Sequence, residues 1–513
     1  MPAHANWLQS LKAFLHPRVI TMFFFGFSAG IPLLLIFSSL SLWLREAGID
    51  RSTVTYFSWA ALAYSFKFLW APLIDRLPLP LLTRLMGRRR AWLLVAQLAV
   101  GLSIFSVALV NPAHPDALHL MAVPVILLGF TAATQDIVID AYRIESAELD
   151  LQALMSSTYI AGYRVGMLTS GAGSLLLASL LGSSSGAYSY HAWHITYACM
   201  ALTMLVGIIT TLIIREPDTH QPSPYRYSSR QYLKFLTLFA VSIIAFVSCY
   251  LLTSQAASSS KAALLGLFHN RALAGLLVET LRLGLGFTLM AMTVMALSRT
   301  PLYERQLVRE SYIDPVLEFF QRYGKSLAIL LLVFVGFYRI SDIVLGVISN
   351  VFFEDMGFTK TEIATVVKTF GLFMTIAGGF LGGILSVRYG AIRTLFLGAF
   401  LTVVTNLLFM WLAHAGHSLP ILYVVISADN LSAGLASAAF VAFLSKLTNI
   451  SFTAVQYAIF SSLMTLIPKT IGGYSGSMVD NMGYANFFLL ASLMGVPVLG
   501  LIWLLKRHAD FRE

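Results

Sequence analysis

The sequence predicts an all-helical protein that crosses a membrane about fourteen times. Of its 513 residues, 58% are hydrophobic and only 11% are charged, whereas soluble domains carry roughly 25% charged residues. Apolar runs of about 20 residues, long enough to span a bilayer as a helix, recur along the whole chain. Short segments rich in arginine and lysine flank many of these runs, as is typical of membrane-protein loops.

The expected spans follow one another from the first apolar run to the last. Apolar run length and charged flanks place them at 19–43, 53–74, 91–110, 120–142, 152–181, 193–214, 231–253, 273–297, 327–350, 361–386, 393–413, 419–445, 453–474 and 485–505. The first run is too long for a signal-peptide core, so we expect it to be retained. Cys199 and Cys249 lie inside spans, where a thiol behaves as a small apolar side chain, so no disulfide framework is predicted.

The basic residues concentrate in loops that the span order places on one side. Lys and Arg number 34 against 24 Asp and Glu. Basic clusters flank one set of span ends, at 76–90, 215–234, 299–325 and 506–512, while the loops 111–119, 182–192 and 414–418 contain no Lys or Arg. Because cytoplasmic loops are enriched in basic residues, both termini are predicted to be cytoplasmic. No basic stripe with stacking aromatics occurs elsewhere, so nucleic acid is not an expected partner.

Two polar breaks organise the chain. The break at 215–230 carries three prolines and no apolar period, which predicts a linker. The break at 299–325 mixes apolar and basic residues at near-helical spacing and is predicted to lie in the headgroup plane. Two spans lie between them, in which Glu279 and Arg282 are three residues apart and are expected to pair.

These breaks predict three parts. They are an N-terminal six-helix half (1–214), a central segment with two extra spans (215–325) and a C-terminal six-helix half (326–513). Such an arrangement is typical of transporters built from two related halves.

A basic hairpin recurs after the second span of each half. The first copy contains Asp75, Arg76, Gly87, Arg88, Arg89 and Arg90, and the second contains Arg388, Gly390 and Arg393. Glycine lets a helix end pack closely, the aspartate caps or pairs with a neighbouring helix, and the arginines anchor at anionic headgroups. Ordinary cytoplasmic anchors explain one copy, but two copies at equivalent positions favour a duplicated transporter fold.

Ionisable residues inside predicted spans are candidates for function, because burying a charge in hydrocarbon is costly. They are Lys67, Asp136, Asp140 and Arg164 in the first half and Arg339, Asp342, Lys368, Asp429 and Lys469 in the second. A rise of about 1.5 Å per residue places Lys67 and Asp136 at one depth, and Asp342 and Lys368 at another. Arg339 and Asp429 both fall near the midplane and are predicted to pair. The alternative for each is a structural pair that locks two helices.

Several segments resemble a known family. They are GFSAGIP at 26–32, FKFLWAPLIDR at 66–76, GRRRAWLL at 87–94, TQDIVIDAY at 134–142, GYRVGM at 162–167, YRISD at 338–342, VKTFG at 367–371 and the stretch 440–463. Together with the two extra central spans, they resemble the AmpG-type muropeptide permeases of the major facilitator superfamily. The stretch between Arg76 and Gly87 is a few residues longer than in typical members of that family.

The resemblance implies a function. Such permeases carry anhydromuropeptides from the periplasm across the bacterial inner membrane, with protons and without a cofactor, for cell-wall recycling and β-lactamase induction. The QDI segment also occurs in related acetyl-CoA transporters, so another bulky anionic solute such as acetyl-CoA is the alternative substrate. In the superfamily, the first, fourth, seventh and tenth helices line the cavity. These helices would carry Gly30, Asp136, Arg339 with Asp342, and Asp429.

The chemistry of a muropeptide matches candidate residues within the spans. Its carboxylates need cations, for which Lys67, Arg164 and Arg339 are candidates. Gln135 and Asn430 are candidates for hydrogen bonds to its amides and hydroxyls. The candidates for packing on its sugar rings are Tyr64, Trp70, Tyr163 and Tyr338. Aromatic rings in such helices are more often core or interface residues than substrate contacts. The Gly26–Gly30 pair with Pro32 predicts close packing or a weakened first helix.

Proton coupling is expected to involve Asp136. Asp140 follows it at i+4 on the same helical face, and Lys67 lies at matching depth. Movement of Lys67 or arrival of an anionic substrate would switch Asp136 between proton-bound and free states. A permanent bridge between Lys67 and Asp136 is the structural alternative.

Signals for enzymatic chemistry are weak. The sequence has no nucleophile-elbow or HExxH motif, and Phe319 replaces the first glycine of a phosphate-binding loop before Gly324 and Lys325. Pairs of histidines at 191 and 194 and at 414 and 417 lack a supporting metal-ligand set, so no metal is predicted. A membrane enzyme acting on lipid-linked sugars would need carboxylates in or beside the outer loops, which are short and mostly uncharged.

Overall fold

The computed structural model describes residues 12–49, 53–54, 57, 60, 63–114, 117–184, 186–218, 227–268 and 271–508. The structure is 87% helical. No strand occurs among the described residues, whose one β feature is an isolated bridge between Ser184 and Ala187. Residues 219–226 of the predicted linker lie outside the described residues, as does part of the predicted second span.

We number the described α-helices in chain order. They are α1 (Pro17–Ile36), α2 (Ser38–Glu46), α3 (Ala63–Phe66), α4 (Ala71–Arg76), α5 (Leu82–Met86), α6 (Arg88–Ala108), α7 (Ala117–Ser146), α8 (Leu149–Leu168), α9 (Ser174–Leu180), α10 (Tyr190–Thr203), α11 (Leu205–Ile213), α12 (Ser229–Leu252), α13 (Ser254–Phe268), α14 (Arg271–Ser298), α15 (Arg305–Val308), α16 (Asp314–Phe337), α17 (Ile340–Asp355), α18 (Lys360–Glu362), α19 (Gly371–Tyr389), α20 (Ala391–Ala415), α21 (Leu419–Leu447), α22 (Thr453–Gly472) and α23 (Ser475–Lys506). Wider π-helical turns at Thr169–Gly173, Arg309–Ile313 and Ile363–Phe370 and 3-10 turns at Lys67–Leu69 and Ile450–Phe452 join some of them.

Twelve helical segments of the described chain are long and apolar enough to cross a membrane. The predicted count of fourteen is therefore not confirmed. The predicted spans at 53–74 and 152–181 are absent from the twelve. The described part of the former consists of short helices around the turn Lys67–Leu69, and the latter is helical from Leu149 to Leu180 with a π-helical turn at Thr169–Gly173.

The first span shows how the sequence shapes these helices. His16 caps α1 by accepting a hydrogen bond from the backbone of Arg18, and Pro17 occupies the first turn, where its missing N–H costs nothing. The helix contains Pro32 and ends at Phe37 before α2 begins. Both Gly26 and Gly30 face the backbone of α8 so closely that an added Cβ would overlap a carbonyl oxygen. The expected close packing of this glycine pair is confirmed.

The repeated hairpin has the same backbone conformation in both halves. Gly87 precedes α6 with φ +88° and ψ 169°, and Gly390 precedes α20 with φ +89° and ψ 159°. This left-handed region strains any side chain with a Cβ but not glycine. The repeat inferred from sequence is therefore visible in the geometry.

The extra central helices pair mainly with each other. Phe246 of α12 packs on Phe287 of α14 with ring centroids 5.2 Å apart. Arg282 lies 3.0 Å from Glu279, which confirms the predicted local pair, and it donates a hydrogen bond to the carbonyl of Tyr250 at 2.6 Å. Only 6% of the apolar window within Leu277–Ser298 is buried in the protein. Most of α14 therefore faces away from the rest of the chain.

The apolar core consists of clusters drawn mostly, but not wholly, from one half of the chain, since Ala454 and Ala458 join a first-half cluster. Phe334, Phe440 and Phe443 are fully buried and meet edge to face in the second half. In the first half, Trp43 stacks on Trp193 with a centroid distance of 5.7 Å.

Basic loops and helix ends meet at one end of the bundle, which we call the basic end. It contains the hairpin after α4, the start of α22, and the segment before α16. Arg76 joins this segment by donating a hydrogen bond to the carbonyl of Glu310 at 3.1 Å, and Arg322 donates to the carbonyl of Leu447 at 2.7 Å. The structure therefore brings the basic clusters at 76–90 and 299–325 together.

Candidate transport site

A chain of charged side chains runs through the first half. Asp136 Oδ2 lies 2.7 Å from Lys67 Nζ, and its Oδ1 accepts a 2.8 Å hydrogen bond from the Tyr159 hydroxyl. Lys67 Nζ also lies 3.7 Å from Asp140 Oδ2, and Asp140 Oδ1 lies 3.3 Å from the guanidinium of Arg143. The depth argument that placed Lys67 beside Asp136 is confirmed. We call these five residues the charge chain.

Local structure brings the charge chain together. Asp136, Asp140 and Arg143 stand at i, i+4 and i+7 on α7 and so share one face. Lys67 reaches them from the 3-10 turn Lys67–Leu69, and its side chain is only 5% exposed, whereas that of Asp136 is 18% exposed. A buried ammonium without a counter-charge would be strongly destabilising, so its two carboxylate partners matter. Asp136 is more accessible to water than Lys67 is.

Arg143 links the charge chain to the second half. Its guanidinium donates a 2.6 Å hydrogen bond to the hydroxyl of Ser445 at the end of α21 and lies 5.2 Å from the ring centroid of Tyr457 on α22. Gln152 and Ser156 of its own half accept further hydrogen bonds, each of 3.2 Å. Sequence reasoning missed Arg143, although an arginine inside an apolar helix is itself a signal of function or pairing.

A second group of charges lies between the halves. Arg339 and Asp342, three residues apart at the start of α17, form an ion pair, and their side chains are 23% and 24% exposed. Arg339 is also within electrostatic range of Asp429 on α21. Arg164 of α8 is within the same range of Arg339 and Asp342. We call these four residues the central cluster, to which both halves contribute.

Two pairings expected from depth do not occur. Among the described residues, the ion-pair partner of Arg339 is Asp342 rather than Asp429, because the neighbour one turn away can be reached without spanning the gap between helices. Lys368 donates a 2.7 Å hydrogen bond to Asn350 rather than meeting Asp342. Lys469 is exposed near the end of α22. Equal depth placed Arg339 near Asp429, which is within electrostatic range, but it did not identify the closer carboxylate on the same helix as the ion-pair partner.

Two of the four aromatic candidates lie in the core. Trp70 is buried and donates a 3.0 Å hydrogen bond to Thr134. Tyr338 is buried, stacks on Phe440 with a centroid distance of 4.3 Å, and donates to the carbonyl of Leu395. In this conformation neither ring is presented to a cavity, because each is more favourably buried with its polar atom bonded.

The other two rings lie near Asp136. Tyr64 and Tyr163 are both within electrostatic range of that carboxylate. The hydroxyl of Tyr64 is buried and has no hydrogen-bond partner among the described residues. An unpartnered buried hydroxyl is costly, so this group is available to a ligand or a water molecule.

The remaining polar candidates make contacts within the protein. Gln135 is buried, and its amide nitrogen donates to the hydroxyl of Ser28 at 3.0 Å, whereas its amide oxygen has no hydrogen-bond partner among the described residues. Asn430 is partly buried and accepts a 2.9 Å hydrogen bond from Thr375. Gly30 packs against the backbone of Tyr163, so its contact is with a helix. These residues position helices around the two charge groups.

Asp75 binds the N-terminus of a helix from the other half. Its carboxylate accepts hydrogen bonds from the backbone N–H groups of Ala454 at 3.3 Å and Val455 at 3.0 Å, in the first turn of α22. It also lies 2.7 Å from Arg89, whose guanidinium in turn contacts Glu145 at 2.5 Å. A carboxylate at a helix N-terminus is favoured by the unpaired N–H groups and the helix dipole. The predicted capping role of the hairpin aspartate is confirmed.

Glu216 fixes the other side of the same hairpin. Its carboxylate accepts from the backbone N–H groups of Arg89 at 2.7 Å and Arg90 at 3.0 Å. Burial raises the pKa of Glu216, and these hydrogen bonds act in the opposite direction. Arg88 donates to the carbonyl of Asp75, and Arg90 donates to the carbonyls at the end of α11. These hydrogen bonds connect the hairpin to the ends of α4 and α11.

The second hairpin repeats the backbone turn of the first. Arg388 lies 5.5 Å from the ring centroid of Tyr389. Arg393, the counterpart of Arg90, lines a surface cavity between α20 and α23.

Hydrogen bonds between the two halves lie at the basic end. Those that the structure describes join Asp75 to Ala454 and Val455, and Arg143 to Ser445. Close packing adds to them, since an added Cβ at Gly383 of α19 would overlap Ser157 of α8. The structure is therefore closed at the basic end. No cluster of three or more His, Cys, Asp or Glu side chains that could hold a metal occurs in the described part of the chain.

Comparison with known proteins places this geometry in a family. Residues 19–184 match the family model described as acetyl-coenzyme A transporter 1. A putative transporter AmpG 4 of Rickettsia conorii is 29% identical, with 98% of this chain and 100% of that protein covered. An uncharacterized protein of Haemophilus influenzae is 30% identical over 95% of this chain and 94% of its own length. The anhydromuropeptide permease of Escherichia coli K12 is 27% identical over 98% of this chain and 82% of its own length.

Solved structures share the fold at low identity. The proton:xylose symporter XylE, bound to 6-bromo-6-deoxy-D-glucose, aligns with a TM-score of 0.59 at 12% identity, covering 97% of this chain and 96% of its own. The transporter FucP in its outward conformation aligns with a TM-score of 0.56 at 10% identity, covering 96% and 99%. The chain therefore has the major facilitator fold, and its relatives and apolar helices define a multi-pass membrane transporter. Among such transporters, the chain belongs to the family of AmpG-type permeases.

Proposed function

We propose that this protein imports anhydromuropeptides across the bacterial inner membrane by proton symport. The observation that carries the proposal is the central cluster, in which cations and carboxylates from both halves lie together and stay partly exposed. The full-length similarity to a protein named anhydromuropeptide permease supports the choice of substrate. Cell-wall recycling and β-lactamase induction signalling are the processes that such import would serve.

The substrate would bind between the two charge groups. A muropeptide has peptide carboxylates, for which Arg164 and Arg339 are partners, since arginine binds carboxylates with paired hydrogen bonds. Its sugar rings would pack beside Tyr64 and Tyr163, which lie close to Asp136. A site built from both halves would couple substrate binding to their relative movement.

The proton would bind at Asp136. This carboxylate is held by Lys67 and Tyr159, and its 18% exposure gives it access to water. Protonation would release Lys67 toward Asp140, which already lies 3.7 Å away. This shift of Lys67 would alter the ion pair between Asp140 and Arg143. It would thereby affect the hydrogen bond that Arg143 donates to Ser445 in the other half. The charge chain would thus connect proton binding to the closed end.

The three-part division of the chain belongs to the same proposal. Residues 1–214 and 326–513 would form the two moving halves, and 215–325 would carry the two extra helices between them. With both termini and the basic loops in the cytoplasm, as their charge favours, the structure would be closed to the cytoplasm. Substrate would then enter from the periplasm.

Transport of another bulky anionic solute is the second candidate. The match of residues 19–184 to a family model described as an acetyl-coenzyme A transporter favours it. An acyl-CoA also presents several anionic groups to arginines. The two substrates differ in their sugar and peptide portions, so a direct assay separates them.

Uptake into proteoliposomes tests the proposal. Purified protein would be reconstituted with an inward proton gradient and offered labelled anhydromuropeptide, acetyl-CoA or free N-acetylglucosamine. We expect accumulation of the muropeptide alone, abolished when a protonophore collapses the gradient. Accumulation of acetyl-CoA and not muropeptide would establish the second candidate.

A further inference from the structure

The central cluster contains two cations and two carboxylates but only one close ion pair among the described residues. Arg339 and Asp342 form that pair at the start of α17. Arg164 and Asp429 have no group of opposite charge within ion-pair distance in the described part of the chain. One positive and one negative charge of the cluster therefore have no bonded counter-charge there.

Arg164 is the partly buried cation that the first half contributes. The one hydrogen bond of its guanidinium within the described residues is a weak contact of 4.0 Å with the sulfur of Met167. Its charged neighbours are Arg339, which repels it, and Asp342, which Arg339 already binds. A guanidinium has five N–H donors, so the described side chains satisfy few of them.

Asp429 is a partly buried carboxylate of the second half. Its backbone carbonyl accepts a hydrogen bond from Ser432, but its side-chain oxygens accept none from the described residues. It lies within electrostatic range of Asp342, which repels it, and of Arg339, whose bonded partner is Asp342. One arginine thus faces two carboxylates.

Both residues lie deep in the bundle, away from the closed end. They stand on α8 and α21, which belong to different halves and pack against each other. A rise of about 1.5 Å per residue places Arg164 roughly 22 Å from the start of α8 and Asp429 roughly 27 Å from the end of α21, the two helix ends at the basic end. Charged groups at such depth need a counter-charge or water.

The charge balance of the cluster restricts its ligand. Two arginines and two aspartates sum to zero, so a ligand with anionic groups alone would give the site a net negative charge. A ligand that carries a carboxylate and an ammonium leaves the balance unchanged and avoids an uncompensated buried charge. The planar donors of Arg164 suit the carboxylate, and Asp429 suits the ammonium.

We propose that Asp429 selects the substrate by binding an ammonium group, beside a carboxylate that Arg164 binds. The inference rests on the proposed function and narrows its substrate to anhydromuropeptides whose peptide ends in a diamino acid, which presents both groups. An acyl-CoA has anionic phosphates but no ammonium group. Asp429 therefore favours the muropeptide over that second candidate.

Ligand binding to the purified full chain in detergent tests the inference separately from transport. The probes are an anhydromuropeptide with a C-terminal diamino acid and the same molecule acetylated on its side-chain amine, which removes the positive charge. The variants are Asp429→Asn, which keeps the shape of the side chain, Asp429→Glu, which keeps its charge, and Arg164→Gln. Asp480→Asn, at an exposed position of α23, is the matched control.

Wild-type protein and the control should bind the free amine roughly tenfold or more tightly than the acetylated probe, as is usual for a hydrogen bond between charged groups. Asp429→Asn should bind both probes alike, and Asp429→Glu should keep the preference for the amine. Arg164→Gln should weaken both probes by a similar factor, because both retain the carboxylate.

The outcomes separate this inference from the proposed function. Equal binding of the two probes by wild-type protein, or a preference that survives in Asp429→Asn, would overturn the inference and leave muropeptide transport standing. Binding of neither probe by wild-type protein would overturn both. The comparison of the two probes on wild-type protein does not depend on the folding of any variant, and melting temperatures check the folding of the variants.

Discussion

Arg143 and Ser445 belong to different halves of the protein and are joined by a 2.6 Å hydrogen bond. Arg143 is fully buried and also holds Asp140, the residue next to Lys67 in the charge chain. One end of the charge chain therefore touches the second half directly. In the proposed transport cycle, opening of the basic end would break this contact.

Ser445→Ala should favour opening of the basic end. The loss of a hydrogen bond to a charged group costs about 1.5–3 kcal/mol, which changes the ratio of closed to open protein roughly tenfold or more. The measurement is the rate at which a maleimide labels Ala153→Cys, a buried position of α8 beside Gly383, in protein whose Cys199 and Cys249 are replaced by serine.

The control for that experiment is Ser437→Ala. Ser437 lies on the same helix but donates to the carbonyl of Ala433 in its own chain segment. Its replacement should leave labelling unchanged. Equal labelling rates for the Ser445 variant and the wild type would show that the bond does not hold the halves together.

Asp75→Asn should also loosen the basic end, and by more. Asparagine can still accept one backbone hydrogen bond, but it loses the charge that favours the helix N-terminus and pairs with Arg89. We expect faster labelling at the same cysteine together with loss of substrate uptake. Asp480→Asn, an exposed aspartate on α23, is the matched control. If the Asp75 variant labels slowly and transports normally, the cap is dispensable.

Asp136→Asn should separate exchange from accumulation. In proteoliposomes it should retain exchange of substrate between equal pools and lose uphill accumulation driven by a proton gradient, because the proton-binding carboxylate is gone. Tyr159→Phe, which removes the hydroxyl bonded to Asp136 but keeps the carboxylate, should retain accumulation. Accumulation by the Asp136 variant would exclude it as the carrier, and loss of both activities with poor insertion would favour a structural bridge to Lys67.

Arg339→Ala and Asp429→Asn should each abolish uptake while the protein still inserts. Arg339 carries the local ion pair with Asp342 and interacts with Asp429 across the cluster, so either change leaves an uncompensated charge. Membrane content and melting temperature measure insertion separately from uptake. Lys368→Met serves as the control, because Lys368 bonds to Asn350 away from the cluster. Normal transport by both variants would remove the cluster from the site.

Gly162→Ala should destabilise the first half. An added Cβ would overlap the carbonyl of Phe23, so α1 and α8 must separate at a cost of about 1–3 kcal/mol. The melting temperature in detergent should fall by several degrees, which makes the effect measurable without substrate. Gly284→Ala on α14 has nothing within 4 Å of the added carbon and should be neutral or stabilising. An unchanged melting temperature for the Gly162 variant would contradict this packing.

Sequence patterns predicted the elements of this fold more reliably than the contacts between them. Apolar run length located the long helices, and charge placement located the basic end, because both depend on the chain alone. The contact of Lys67 with Asp136 followed from depth. Depth placed Arg339 and Asp429 in one cluster but missed the ion-pair partner of Arg339, because it contains no information on a nearer carboxylate such as Asp342.

The candidate site was predicted only in part for a related reason. Trp70 and Tyr338 have the chemistry to stack on a sugar, but packing buries both in the core. Arg143 and Glu216 act through partners far along the chain, at Ser445 and at the backbone of Arg89. Such contacts depend on how helices distant in sequence are placed, which the apolar period of a single helix does not specify.

The shared backbone turn of Gly87 and Gly390 also has a genetic consequence. Every missense change that a single nucleotide can make in a glycine codon introduces a side chain with a Cβ, and none of these residues adopts this turn without strain. No single-nucleotide missense change in either glycine codon is therefore expected to be neutral. Selection would therefore preserve each glycine independently of the side chains that surround its turn.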